Sequence, residues 1–196
     1  MSALLDSLAT TFNGDADRRS ALDDALRDGL PGARSEAWKY TSLRALERRS
    51  FAAVDAVPEV GIETVAHIPA PRLVFVNGHH VPALSALATL PEGVSLQLLS
   101  EAVACGGEAA RFLTRRFERS DEVFARLNAA LASEGVLLRA EAGTVSAQPL
   151  HLVFIGAEDG ADRAWHLRNL IDLRTGAKLV IVEHHIAVGT HAHFSN

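Results

Sequence analysis

The chain has 196 residues, 48% of them hydrophobic and 22% charged, which is enough apolar material for a packed core in one domain or two small ones. Its formal net charge of -5, with no long block of Lys or Arg, argues against a dominant electrostatic attraction to nucleic acid or to an anionic membrane. The opening MSALLDSLATTF lacks a basic segment ahead of its apolar residues and carries Asp6, unlike a secretory signal. No apolar run approaches the length of a bilayer span, so the cytoplasm is the expected compartment.

A first helix is predicted over Ala3 to Phe12, broken by Asn13-Gly14. From Ala16 to Asp28, Ala21, Leu22, Ala25 and Leu26 recur at helical spacing. Asp15 can cap the start, and Gly29 with Pro31 ends the run. Residues 51–71 hold three prolines and read as an irregular connection with room for one short strand. Arg72 to Val76 and His79 to Pro82 flank Asn77-Gly78, whose tolerance of positive φ suits a type I′ turn, so a β-hairpin is predicted. Val94 to Leu99 is a strand candidate, and Glu101 to Ala104 begins a short helix.

Cys105 is the only cysteine, which rules out an intrachain disulfide framework or a thiolate-ligated cluster held by this chain alone. Two following glycines could expose it, but without a second thiol the favoured reading is a small apolar residue beside a loop. Arg115, Arg116 and Arg119 alternate with acids and read as a solvated helix face. Ser120 offers an N-cap for a helix over Asp121 to Ala132, with Val123, Phe124, Leu127, Ala130 and Leu131 on one face and Gly135 as its stop.

After Gly135 the rhythm changes to short apolar segments, Val136 to Ala140, Leu150 to Gly156, Ala164 to Leu173 and Lys178 to Val188, divided by Gly, Asp, Pro and Thr. This is an all-β region in which strand count and spacing leave sandwich, barrel and β-helix open. Leu179 to Val182 is apolar at successive positions, which predicts a strand covered on both faces.

Three segments in chain order carry a family likeness: GLPGARSEAWKYTSL at 29–43, PRLVFVNGHHVPALS at 71–85 and DLRTGAKLVIVEHHIAVGTHAHFSN at 172–196. With them the chain resembles the SufD family, the scaffold component of the SufB–SufC–SufD iron–sulfur cluster assembly machinery. The WKYT run favours SufD over its paralogue SufB. Proteins of that family are longer, and this chain looks like their N-terminal half.

The resemblance implies an α+β chain in two parts. Residues 1–134 form a helical and β-hairpin region, and 135–196 form the first coils of a right-handed parallel β-helix. It also implies SufB and SufC as partners: SufC hydrolyses ATP, SufB accepts the nascent cluster, and SufD pairs with SufB while docking one SufC. The family's SufC-binding region and its histidine implicated in cluster formation belong to the C-terminal part. No catalytic, cofactor-binding or metal residue therefore carries over, and the chain is expected to be a non-catalytic scaffold with no cofactor of its own, the cluster being assembled by the full complex. An open β-helix end should self-associate through Lys178 to Val188 or be covered by the residues from Thr190.

The histidines supply the rival reading. His184, His185, His191 and His193 lie within ten positions, and imidazoles so spaced could ligate zinc, iron or copper. His191 and His193 would share a face of a strand, an echo of the cupin metal motif, which makes a small cupin-like metal-dependent enzyme the alternative. The motif lacks its glutamate, and His184 and His185 leave opposite faces of a strand, so surface or interfacial histidines are favoured. His79 and His80 likewise diverge. Glu183 could be a general base, but the sequence names no partner for it. Trp38 and Tyr40 are read as packing anchors, with a partner-binding hot spot as the alternative, and Glu36 and Lys39 as a solvated pair.

Overall fold

A computed structural model describes residues 2–105 and 117–196, so the predicted basic face at Arg115 and Arg116 lies outside the described residues. The first elements are α1 (Ala3–Thr10) and α2 (Ala16–Asp28). Their ends follow local chemistry: the Ser2 hydroxyl accepts from Leu5 N–H at 3.2 Å, and the Asp15 carboxylate accepts from Arg18 N–H at 2.9 Å. Gly29 ends α2 at φ 71. A 3-10 turn over Glu36–Trp38 precedes the single turn α3 (Arg44–Glu47), and α4 (Leu99–Cys105) and α5 (Val123–Leu131) come later.

Helix α5 departs from expectation at both ends. Ser120 is not its cap: α5 starts at Val123, and the turn before it closes when the Glu122 carboxylate accepts from Arg119 N–H at 3.2 Å. Gly135 is not its stop either, because Ala132 has already turned extended. The Arg18 guanidinium caps that end by donating to the Ala130 and Ala132 carbonyls at 3.0 and 2.7 Å. Helices α1, α2 and α5 close over Leu4, Leu5, Leu8, Leu22, Ala25, Val123, Leu127 and Ala130, joined by Phe51 and Ala164. Each buried leucine there contributes about 1.5–3 kcal/mol.

The hairpin forms as predicted, with β1 (Arg72–Val76) antiparallel to β2 (His79–His80) and positive φ at Asn77 and Gly78. The Asn77 side chain is fully buried and works twice: Nδ2 donates to the Ala157 carbonyl at 3.0 Å, and Oδ1 accepts from Ala157 N–H at 2.8 Å. Gly78 is needed for space as well as for φ, since a Cβ there would sit 2.6 Å from Cβ of Trp165. The prolines of the irregular stretch leave it a 3-10 turn at Ile62–Thr64 and an isolated bridge from Ala52 to Arg163.

The remaining strands are β3 (Val94–Leu98), β4 (Val136–Ala140), β5 (Leu150–Ala157), β6 (Arg163–Trp165), β7 (Leu170–Leu173), β8 (Ile181–Val188) and β9 (His193–Ser195). The apolar segment Ala164 to Leu173 takes part in two strands, parted at 166–169. Three sheets result, ordered β2-β1-β5-β8, β3-β4-β7 and β6-β9. From β4 onward each strand pairs in parallel with the third strand after it. Leu137 lies opposite Leu170, Val153 opposite His184 and Ala164 opposite Phe194, separations of 33, 31 and 30 residues. The chain thus runs once through the three sheets as β4–β5–β6 and a second time, beside that first pass, as β7–β8–β9.

Two apolar clusters sandwich the large sheet. Val74, Val76, Val153 and Ile155 pack on one face with Val65, Ile68 and Leu84, and Leu73, Phe75, Leu152 and Phe154 on the other with Val136 and Leu138. The strand buried on both faces is β5, at every position from Leu150 to Ala157. The expectation had placed that burial at Leu179 to Val182. There Val180 is 56% exposed and β8 shows every second residue to solvent from Val182 to Ala187, because β8 is the last strand of its sheet and has a neighbour on one side only.

Candidate interaction surface

The second pass presents an edge and a face. Along its edge β8 has backbone groups with no strand beside them among the described residues. On the side where Leu138 of β4 is buried, its register partner Ile171 of β7 is 44% exposed, and Leu173, opposite the buried Ala140, is 47% exposed. Val180 and Val188 add exposed apolar surface along β8. This end is apolar enough, and carries enough unpaired backbone, to accept another strand layer.

The histidines of this region separate. His184 turns toward β5, where its Nε2 lies 2.9 Å from Nδ1 of buried His151, one ring donating and the other accepting. Burial, and secondarily His184, holds the His151 pKa below the ordinary imidazole range. His185 leaves the opposite face, stacks on Phe154 with ring centroids 5.1 Å apart, and has Nε2 3.5 Å from the Glu183 carboxylate. His191 is not in a strand at all: it lies in the corner before β9 with Nδ1 3.1 Å from Glu158. His193 packs on Trp165 with ring centroids 5.2 Å apart. The expected shared face of His191 and His193 is therefore absent. Among the described residues no three His, Cys, Asp or Glu side chains gather as a metal site. A cupin jelly roll is antiparallel, whereas β5–β8, β4–β7 and β6–β9 are parallel, which removes the architectural basis of the enzyme reading.

Sequence reasoning missed His151 and His166. His151 had one readable signal: it precedes His184 by one pass of the chain, as Leu137 precedes Leu170. His166, in the link between β6 and β7, is buried with neither ring nitrogen bonded to a protein group, and burial pushes its pKa down to about 4. His79 is exposed, and His80, half-buried, has Nε2 3.3 Å from the Ser85 hydroxyl.

The corners of the two passes are tied by acids. Glu158 accepts from Thr190 N–H at 3.2 Å, and Asp162 accepts from Ala192 N–H at 2.9 Å while pairing with Arg49 at 2.6 Å. The Arg49 hydrogen bond, followed by the Ala192 N–H, holds the Asp162 carboxyl below the usual range. The last residue is held as well: Asn196 Nδ2 donates to the Phe124 carbonyl at 2.8 Å, and its carbonyl accepts from Asn128 at 2.9 Å.

The aromatic pair of the signature divides. The Trp38 indole packs on Phe124 with centroids 5.2 Å apart, and its Nε1 donates to the Asp121 carbonyl at 3.0 Å. Tyr40 is 91% exposed, so the packing reading holds for Trp38 and fails for Tyr40. The backbone is the reason: Trp38 ends the 3-10 turn and the chain turns again at once, Thr41 N–H donating to the Trp38 carbonyl at 2.9 Å, so the two rings do not share the face of an extended segment. Cys105 is exposed at the end of α4 and lines a cleft of ≈ 370 Å³ with Gln97, Leu138, Arg139 and Asp172.

Residues 4–152 match the family described as the SufBD protein N-terminal region. The chain is 30% identical over 178 residues to the iron–sulfur cluster assembly protein SufD of Escherichia coli, which covers 89% of this chain and 40% of that protein. It is 30% identical over 166 residues to an iron–sulfur cluster assembly SufBD family protein of Synechocystis, covering 82% of this chain and 36% of that one. The chain therefore spans about two-fifths of the length of these relatives.

Proposed function

We propose, from the premise that this chain belongs to the SufBD family, that it serves iron–sulfur cluster assembly as a SufD-like structural platform and not as a catalyst. The observation that carries the platform reading is the in-register parallel stacking of β4–β5–β6 on β7–β8–β9 at intervals of 30 to 33 residues. Read this way, residues 135–196 are the first two coils of a right-handed parallel β-helix. Residues 1–134 are the helical and hairpin part that seats them. A three-sided coil with fixed spacing is a rigid spacer that grows by adding turns, which suits a protein whose task is to hold others.

The partners are SufB and SufC, with ATP hydrolysis residing in SufC, and the chain holds no cofactor itself. No helix is long and apolar enough to cross a membrane among the described residues, and the cytoplasm is the proposed compartment. The open edge of β8, with Ile171, Leu173, Val180 and Val188 beside it, supports self-association of the isolated chain by strand addition.

The reading is tested by co-expressing the tagged chain with SufB and SufC and scoring which proteins and how much iron and sulfide are retained. Retention of SufB or SufC at fixed stoichiometry supports it. Retention of neither, together with turnover of a substrate by the chain alone, overturns it. For self-association, sedimentation should show a concentration-dependent dimer that Val180→Lys with Val188→Lys reduces to monomer.

A further inference from the structure

We propose that the exposed basic stretch around Tyr40 is a docking surface for an acidic segment of another protein. It is separate from the β8 edge and independent of the platform reading.

The first observation is how the cations are used. Among the described residues, almost every Arg is committed: Arg19, Arg27, Arg49, Arg119, Arg126, Arg139, Arg163 and Arg174 pair with carboxylates, and Arg18 and Arg72 donate to carbonyls. Arg34, Lys39, Arg44 and Arg48 make no ion pair and no side-chain hydrogen bond, and all four are exposed. In a chain of net charge -5, these uncommitted cations crowd into one short stretch that holds only Glu36 and Glu47 against them.

The second observation is the aromatic at its centre. Tyr40 is 91% exposed, touched by the Lys39 ammonium 5.4 Å from its ring centre. Tyr and Arg are the residue types that most often anchor protein interfaces. Exposed lysine and glutamate alone would be an ordinary solvated surface; an exposed tyrosine under a lysine ammonium, in a stretch that also carries three unpaired arginines, is not.

The third is that contacts with the rest of the chain hold the stretch in shape. At one end the Trp38 indole is fixed on Phe124 and the Asp121 carbonyl, and Thr41 N–H closes onto the Trp38 carbonyl at 2.9 Å. At the other end Arg49 pairs with Asp162, and Phe51 N–H donates to the Ser7 hydroxyl at 3.1 Å. Between them Arg44 and Arg48 bracket the single turn α3, four residues apart and so on one side of it. A presenting loop already ordered gives up little freedom when it binds.

Charge selects carboxylates as the complement. Against a polynucleotide stands the shortage of stacking surface in the stretch: with Trp38 committed to packing, only Tyr40 could stack a base.

The test titrates the purified, isotopically labelled chain with a short synthetic peptide whose glutamates flank an apolar centre, and separately with an oligouridylate of equal charge. The peptide should shift the amide resonances of Lys39 to Arg48. Tyr40→Ala, and Arg44→Glu with Arg48→Glu, should each weaken it about tenfold, or 1.4 kcal/mol, whereas Lys178→Glu, an unpaired cation elsewhere, should change little. Unaltered thermal midpoints will show that these variants fold. Equal loss with Lys178→Glu, no loss with Tyr40→Ala, or tighter binding of the oligouridylate would each overturn the proposal.

Discussion

The two passes of the chain through its three sheets pair strand for strand and end in different environments. Strand β5, LHLVFIGA, is buried at every position, while β8, IVEHHIAV, stacks beside it in register and leaves Glu183, His185, Ala187 and Val188 exposed. In the same way Leu138 and Ala140 of β4 are buried and their partners Ile171 and Leu173 are not. Apolar character does not separate these β4–β7 pairs, and it separates the β5–β8 pairs only in part, at Leu152 and Phe154 against Glu183 and His185. What separates them is the number of neighbouring strands: β5 lies between β1 and β8, and β4 between β3 and β7, whereas β7 and β8 are each bordered once. In a stacked architecture burial belongs to the layer above and below a residue.

The strongest test of that contrast lies where the passes meet. At Gly135 a Cβ would fall 2.0 Å from the Arg168 carbonyl oxygen, so Gly135→Ala must push the second pass off the first. We expect a loss above about 4 kcal/mol, in the range reserved for severe steric faults, read as failure to give a cooperative urea transition. Next, Leu152→Ala in β5 should cost about 2–5 kcal/mol, while Leu173→Ala in β7, nearly half exposed, should cost under about 1 kcal/mol. Equal shifts in urea midpoint would break the comparison.

The hairpin's splice into the first pass should come third. Asn77→Ala leaves the Ala157 N–H and carbonyl without their buried partner, at about 2–3 kcal/mol in the same assay.

Acid should act on the link between the passes. His166 is buried neutral with a pKa of about 4 against 6.5 when unfolded. The unfolded chain therefore binds the proton more readily, and this part of the stability is full above pH 6.5 and is lost as pH falls toward 4. A drop of about 2 kcal/mol between pH 7 and pH 5 is expected, and His166→Phe should flatten it. His151 and His193 are depressed by burial in the same direction and should leave a smaller residual slope. A denaturation series at several pH values would read both.

What was legible in the sequence was what neighbouring residues decide. The span of α2 follows from Asp15 and Gly29, and the hairpin from Asn77-Gly78, because caps and turns act within a few positions. The burial of Leu179 to Val182 was misread because it depends on whether a strand lies beside β8, which no local pattern states. The start of α5 was misplaced because Ser120 and Glu122 are both chemically able to close that turn. Tyr40 departs from the packing expectation because residue type alone does not say which of two aromatics two positions apart meets the core, and the turn over 38–41 gives that place to Trp38. The histidine pairing was hidden by distance: His151 and His184 meet only after a complete pass.

The separations of 33, 31 and 30 residues between stacked strands carry a consequence for how such a sequence tolerates insertion and deletion. The sides keep register residue by residue, so the differences are absorbed at the corners: 141–149 is answered by the shorter 174–180, and 158–162 by 189–192. Length at a corner is thus free to drift between descendants of one ancestral gene. A single codon gained inside β5 would instead turn every following side chain of that strand to the wrong face. Alignments of distant relatives should accordingly place their gaps at these corners, spaced about as far apart as the sides are long.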